Sequence, residues 1–369
     1  MTSSLYTLQT LINKTPTHAP GLVVNLDSWS ITVQSNSRAL LEVLADYFGD
    51  LALFSTQAPQ DSQTLLALHF DQTYELEALY RLAFKDWQRE LGKTGRKEAV
   101  HDFQNHLGQP QRLVHKVKTG LVLWQNAQTL AAFGDLNTHP NQVINFILSQ
   151  NLNHWQNQGW LLGHCAALQL NDQRGIAIAG VSGGGKSTLM LKLLEQAQGF
   201  ISNDRILMHA QDNRVLMRGI PKQPRINPGT IVHNPKLHRL IENHQPYLSM
   251  PENQLRALEE KYDAPIQQLY PAVKRQAIAP LDQLYLLNWQ LDSAQTPTLS
   301  QVDLNQREDL LQGIIKSPGV FYQKADQSFQ KNGQSPNIQD YQHLLQHTQV
   351  FEITGKLDFQ TAYTKIINQ

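Results

Sequence analysis

The sequence predicts an α/β protein of two domains, the second organised around a glycine-rich loop. Three observations carry that prediction. The 369 residues exceed what one hydrophobic core usually organises, and 41% hydrophobic residues suffice to fill more than one. Short strand-like apolar runs alternate with stretches whose apolar residues recur at helical spacing. Gly180-Val-Ser-Gly-Gly-Gly-Lys-Ser187 stands between an apolar run and a helical one, the strand–loop–helix order of an α/β layer.

Taken in order, residues 22–33 read as two short strands around Asp27-Ser28. Leu40, Leu41, Leu44 and Tyr47 then fall on one helical face, and Gly49 ends that helix. Leu65–Phe70 is a strand, and 75–106 reads as helical with a polar break at 92–97. Val114–Val117 and Leu121–Trp124 flank a Lys-Thr-Gly turn as a hairpin. These elements make an N-terminal α/β domain, 1–140. A helix over 141–155, with Val143, Ile144, Ile147, Leu148 and Leu152 on its face, lies near the boundary, which falls between 135 and 160. The second domain is 141–369. In it, Ala166–Leu170 and Ile176–Ala179 form a hairpin that runs into the glycine cluster. There is no internal repeat, and the Gln-rich stretch 323–349 is too mixed with apolar residues to be a linker.

Charge and cysteine content narrow the function. Lys+Arg and Asp+Glu are 31 each, which argues against a nucleic-acid coat or a polybasic membrane anchor. Cys165 is the single cysteine, so an internal disulfide and a multi-Cys zinc site are excluded. No apolar run approaches a membrane span, and the start Met1-Thr-Ser-Ser-Leu-Tyr lacks a signal peptide's basic and apolar regions. The expectation is a cytoplasmic protein without nucleic-acid or membrane partners; a homo-oligomer stays open. Neutrality is not uniform, however. Residues 205–239 hold seven basic residues, Arg205, Arg214, Arg218, Lys222, Arg225, Lys236 and Arg239, against Asp212 alone.

The glycine cluster fits the Walker A pattern G-x-x-x-x-G-K-[ST] in its proper setting. Gly180, Ser182, Gly183, Gly184 and Gly185 would turn backbone N–H groups around phosphate oxygens, and the helix from Thr188 adds its positive end. Lys186 would reach the β/γ-phosphates of a nucleoside triphosphate, and the Ser187 hydroxyl would ligate Mg²⁺. Downstream, the strand Phe200-Ile201 would deliver Asn203 and Asp204 to the sheet edge where such folds bind ligands. Asp204 there could hold Mg²⁺ or accept a proton; an Asn-Asp turn is the plainer alternative.

His164-Cys-Ala-Ala-Leu, the Gly-Val-Ser-Gly-Gly-Gly-Lys-Ser-Thr loop and Ser202-Asn-Asp-Arg resemble the kinase domain of HPr kinase/phosphorylase. The offshoot called HprK-related kinase B is the nearest resemblance, extending over Asn141–Ile147 and Gly219–Thr230, so that about 110–240 is covered. The resemblance implies an HPr kinase/phosphoenolpyruvate carboxykinase-like P-loop kinase fold and ATP-dependent phosphoryl transfer. It assigns phosphate and metal roles to Lys186 and Ser187. Of the family's two acids after the loop only Asp204 remains, the other position being Asn203. His164 aligns with a family histidine. Arg218-Gly219 matches the family's Arg-Gly, but the glutamate expected two residues earlier is Leu216, which puts metal number and the reverse reaction in doubt.

Three prolines, Pro221, Pro224 and Pro228, stiffen the basic segment that carries Lys222, Arg225 and Asn227. Arg225 suits a phosphate or carboxylate clamp; a solvated loop is the alternative. Arg218 or Arg225 would stabilise transferring charge. Cys165 reads as a small packing residue rather than a nucleophile. Arg112, Lys116 and Lys118 read as a solvated strand face rather than a ligand surface. Two functions follow: a kinase passing the γ-phosphoryl group to a hydroxyl of an unidentified protein or small-molecule acceptor, with Asp204 as base or metal ligand, or an ATP-binding regulatory or scaffold protein. The absence of an L-S-G-G-Q signature disfavours a transporter ATPase.

Overall fold

Short apolar runs set up the strands of the first unit, the central ones buried on both faces. They are β1 (His18–Leu26), β2 (Trp29–Ser35), β3 (Ala52–Ser55), β4 (Gln63–His69), β5 (Lys85–Asp86), β6 (Glu98–Gln104), β7 (Pro110–Lys116), β8 (Val122–Gln125) and β9 (Leu130–Gly134). The structure is a computed structural model that describes residues 3–71, 76–88, 95–181, 183–251, 254–255, 258, 260–290 and 292–369. These nine strands form one sheet in the order β3-β1-β2-β4-β9-β8-β7-β6-β5, with β2, β4 and β9 mutually parallel. Leu40, Leu41, Leu44 and Phe48 of helix α2 (Arg38–Phe48) and the apolar residues of α4 (Pro140–Gln156) cover one face. Leu8, Leu79, Trp124 and Phe133 belong to a second core cluster.

The helical reading of 75–106 is corrected. Residues 77–80 make one helical turn, 85–86 and 98–104 are strands, and 72–75 and 89–94 lie outside the described residues. Ala99, Val100 and Phe103 satisfy a helical spacing, but cross-strand pairing with β7 from Glu98↔Lys116 to Gln104↔Pro110 decides the outcome.

Contacts divide the chain into Met1–Gln158 with Ser317–Ser335, and Gly159–Lys316 with Pro336–Gln369. The division at 158/159 lies inside the expected 135–160 but later than 140/141, because α4 buries Val143, Phe146 and Ile147 in the first unit's core. The segment 317–335 also returns to that unit. Phe321 packs on Phe146 with ring centroids 4.7 Å apart, and its carbonyl accepts from Asn153 Nδ2 (2.6 Å) and Gln125 Nε2 (3.1 Å).

In the second unit, β10 (Leu161–Gly163), β11 (Ala166–Leu170), β12 (Gly175–Gly180), β13 (Ala197–Ser202), β14 (Ile206–Gln211), β15 (Arg214–Gly219), β16 (Arg225–Ile226), β17 (Tyr262–Asp263), β18 (Lys274–Arg275), β19 (Ile278–Pro280), β20 (Gln283–Leu287), β21 (Thr298–Gln301) and β22 (Gln349–Thr354) follow in order. The principal sheet runs β18-β13-β11-β12-β20-β22-β21, and β10-β14-β15-β19 make a smaller one. β12, β20 and β22 are parallel, while β11 is antiparallel to both β12 and β13. Hence β12, β13, β20 and β22 all point the same way and release their following loops at one sheet edge. Helix α5 (Lys186–Leu193) and the helix Phe359–Ile367 pack on one core beside this sheet through Leu189, Leu193, Ala362 and Ile366. No described helix is long and apolar enough to cross a membrane.

Candidate functional site

The loops leaving the C-terminal ends of those four strands line a cleft of about 1050 Å³ in the second unit. Val181 and Gly183–Thr188 follow β12, Asn203 and Asp204 follow β13, Asn288 and Trp289 follow β20, and Leu357 and Phe359 follow β22. This is the edge at which open α/β sheets gather ligands. Lys222, Gln223, Arg225, Asn227, Thr230, His233 and Lys261 contribute further lining.

The glycine loop takes its shape from left-handed residues. Gly183 has φ +82° and Gly185 φ +84°, and a Cβ at Gly185 would run into the Phe359 ring. Gly185 is the N-cap of α5 without a side-chain cap, so the first N–H groups of the helix have no intrahelical acceptor. Lys186 is buried, its Nζ donating to Gly180 O (2.8 Å) and Val181 O (3.3 Å). Thr188 Oγ1 lies 2.8 Å from Thr230 Oγ1, which also donates to Asn227 Oδ1 (3.1 Å), joining α5 to the proline-stiffened segment. Ser182 lies outside the described residues.

Asp204 sits across the cleft with its side chain 45% exposed. His164 Nε2 is 3.4 Å from its Oδ1, and Arg205 Nε is 3.6 Å from its Oδ2. Burial by itself would raise the carboxyl. The His164 hydrogen bond and the charges of Arg205, His164 and Lys222 outweigh that and hold it well below the ordinary carboxylate range. Asn203 is buried beside it, and its Oδ1 has no hydrogen-bond partner among the described residues. Among the described lining residues Asp204 is the one acid, facing Lys186, Lys222, Arg225 and Lys261. A hydroxyl (Ser187) and an ionised carboxylate (Asp204) are hard oxygen donors of the kind Mg²⁺ takes, and the open glycine cradle suits a polyphosphate, so the residues present fit both.

His164, Lys186, Ser187, Thr188, Asp204 and Arg225 are thus brought to one cleft. Arg225 pairs with Asp263 at 3.2 Å. Arg218 is not among the lining residues; its guanidinium lies over the Trp160 ring, 5.4 Å from the centroid. Gly180, expected in the phosphate cradle, is not among the lining residues; its carbonyl accepts from Lys186 Nζ. Cys165 is fully buried, which pushes its thiol up to about 12 and makes it a packing residue. Sequence reasoning missed Lys261, Asn288, Trp289 and Phe359. The apolar run Leu284–Leu287 ending at Asn288-Trp289 was the available signal for two of them.

No protein-family model matches this sequence, and no curated protein matches it. Among solved structures it is similar to the Hpr(Ser) kinase/phosphatase from Coxiella burnetii, at 11% identity and a TM-score of 0.30, over 56% of this chain and 94% of that chain.

Proposed function

We propose that this cleft is the active site of an ATP-dependent kinase that passes the γ-phosphoryl group to a hydroxyl of a protein or small-molecule acceptor. The observation that carries the reading is the convergence of the Gly183–Thr188 loop and Asp204 on one sheet edge in one cationic cleft. The loop N–H groups and Lys186 would bind the triphosphate. Ser187 and Asp204 would hold Mg²⁺, which would supply neutralising charge to the phosphates. The acceptor oxygen would form its bond to the γ-phosphorus as the bond to the β–γ bridging oxygen breaks, ADP leaving with that electron pair. Asp204, held ionised by His164, Arg205 and Lys222, would serve as a metal ligand, and the acceptor's proton would pass to solvent as the new bond forms. Lys186 and Arg225 would stabilise the transferring charge.

Incubating the chain with γ-labelled ATP and a fractionated extract, with Lys186→Ala as control, tests this. Label entering a protein or metabolite fraction only with the unsubstituted chain is the expected result. ATP binding without label transfer would favour the second reading, a nucleotide-controlled regulatory protein. Asn203 and Leu216, which stand where the resembled family carries acids, favour that reading.

A further inference from the structure

Trp289 and Phe359 stand directly against the glycine loop. The indole Nε1 of Trp289 donates to Gly184 O (2.9 Å), Phe359 meets Gly185, and the two rings cross edge to face with centroids 5.9 Å apart. Both side chains are only partly buried, and both line the cleft beside Leu287 and Leu357. An aromatic pair left half-covered at the rim of a polar, cationic cleft offers a stacking surface to a planar base.

The neighbouring Asn288 is exposed to the same cleft, and its amide orientation is fixed. Nδ2 donates to Glu352 Oε1 (2.7 Å), while Arg307 donates to Glu352 Oε2 from Nη1 (2.7 Å) and to Oε1 from Nη2 (3.0 Å). A carboxylate held ionised in this way only accepts, so the Asn288 nitrogen must face it and Oδ1 is left as an acceptor. An acceptor complements the exocyclic amine of adenine and opposes the O6 carbonyl of guanine.

We propose that Trp289, Phe359 and Asn288 form a nucleobase subsite that selects adenine over guanine. The proposal rests on the kinase reading only in that the glycine loop holds a triphosphate. Its own content is that the base, as well as the phosphates, is bound.

Calorimetric titration of the full chain with ATP, GTP and inorganic tripolyphosphate separates the two. ATP is expected to bind roughly tenfold tighter than tripolyphosphate, since one base stack is worth about that much or more. Phe359→Leu, which keeps an apolar side chain against Gly185, should weaken ATP roughly tenfold while tripolyphosphate stays within about twofold, which also reports an intact loop. Asn288→Ala should bring the ATP and GTP affinities together. ATP no tighter than tripolyphosphate in the unsubstituted chain, equal losses of both ligands in Phe359→Leu, or an unchanged ATP-to-GTP ratio in Asn288→Ala would each overturn the subsite. Binding of neither ligand would overturn the triphosphate reading itself, and the subsite with it.

Discussion

His164 Nε2 and Asp204 Oδ1 lie 3.4 Å apart at the edge of the principal sheet, and this contact helps hold the cleft's acid below the ordinary carboxylate range. The two residues come from different elements, the His164 backbone N–H being held by Ile314 O at 2.7 Å and Asp204 following β13. Asp204→Asn keeps the shape and removes the charge. It is expected to leave ATP affinity within a few-fold and to lower phosphoryl transfer by roughly a hundredfold or more. Unchanged transfer in a labelled-ATP assay would remove Asp204 from the mechanism. In His164→Ala the Asp204 carboxyl should titrate higher, because the hydrogen bond that lowers it is gone. Carbon NMR of the carboxyl checks this. Because the folded pKa is depressed, Asp204 contributes stability above its ordinary value of 3.8, and that contribution fades as pH falls below it.

Lys186 is the second lever. Its ammonium is buried against the Gly180 and Val181 carbonyls, so the loop holds it in place before any ligand arrives. Lys186→Ala should weaken ATP and tripolyphosphate alike by roughly ten- to a hundredfold, the worth of a charge-assisted hydrogen bond. Lys186→Arg should not rescue binding, because a planar guanidinium cannot take the place of a compact ammonium among the loop carbonyls. Calorimetry on both variants decides it; full affinity in Lys186→Ala would detach Lys186 from phosphate binding, and full affinity in Lys186→Arg would show that positive charge alone suffices there.

These residues were legible in sequence because each stands at fixed spacing from a local signal. The loop glycines, Lys186 and Ser187 are contiguous, and Asp204 follows a short apolar strand. That Trp289 and Phe359 meet at the glycine loop was not legible. They reach the loop because β20 and β22 pair in parallel with and beyond β12, a long-range registration that no local window contains. Arg112 was misread as part of a solvated face for the same reason, and Lys116 because its partner strand β6 read as helix. Arg112 is buried by residues some two hundred positions later, and Lys116 pairs with Glu98.

The Arg307–Glu352 pair beside Asn288 gives a pH-dependent prediction. Glu352 is buried, and its two-pronged bond to Arg307 lowers its carboxyl below 4.5 against the opposing effect of burial. Its contribution to stability is therefore full above that pH and is lost as pH falls through the depressed value. Arg307→Met strands the carboxylate, at a cost of about 3 kcal/mol or more near neutral pH. Burial then raises the carboxyl instead, so protonation relieves the variant. The gap between the variant and the unsubstituted chain should narrow as urea unfolding is repeated towards pH 4.5. A gap that is constant with pH would show that Arg307 acts through packing alone.

Arg112 makes the case for the returning segment. Its side chain is buried, with Nε 2.6 Å from Asp102 Oδ1 and Nη2 2.7 Å from Oδ2. Nη1 donates to the carbonyls of Val320 (2.9 Å) and Gln330 (3.1 Å), and the guanidinium stacks 4.6 Å from the centre of the Phe329 ring. One side chain thus ties 317–335 to β7. In Arg112→Met the half-exposed Asp102 can turn to water, whereas the two buried carbonyls lose their donor. The expected cost is about 3 kcal/mol, read as a lower urea midpoint. Because the loss falls on the segment, proteolytic cleavage should appear first within 317–335. Cleavage spread evenly over the first unit, or an unchanged midpoint, would show that the Phe321 contacts hold the segment without Arg112.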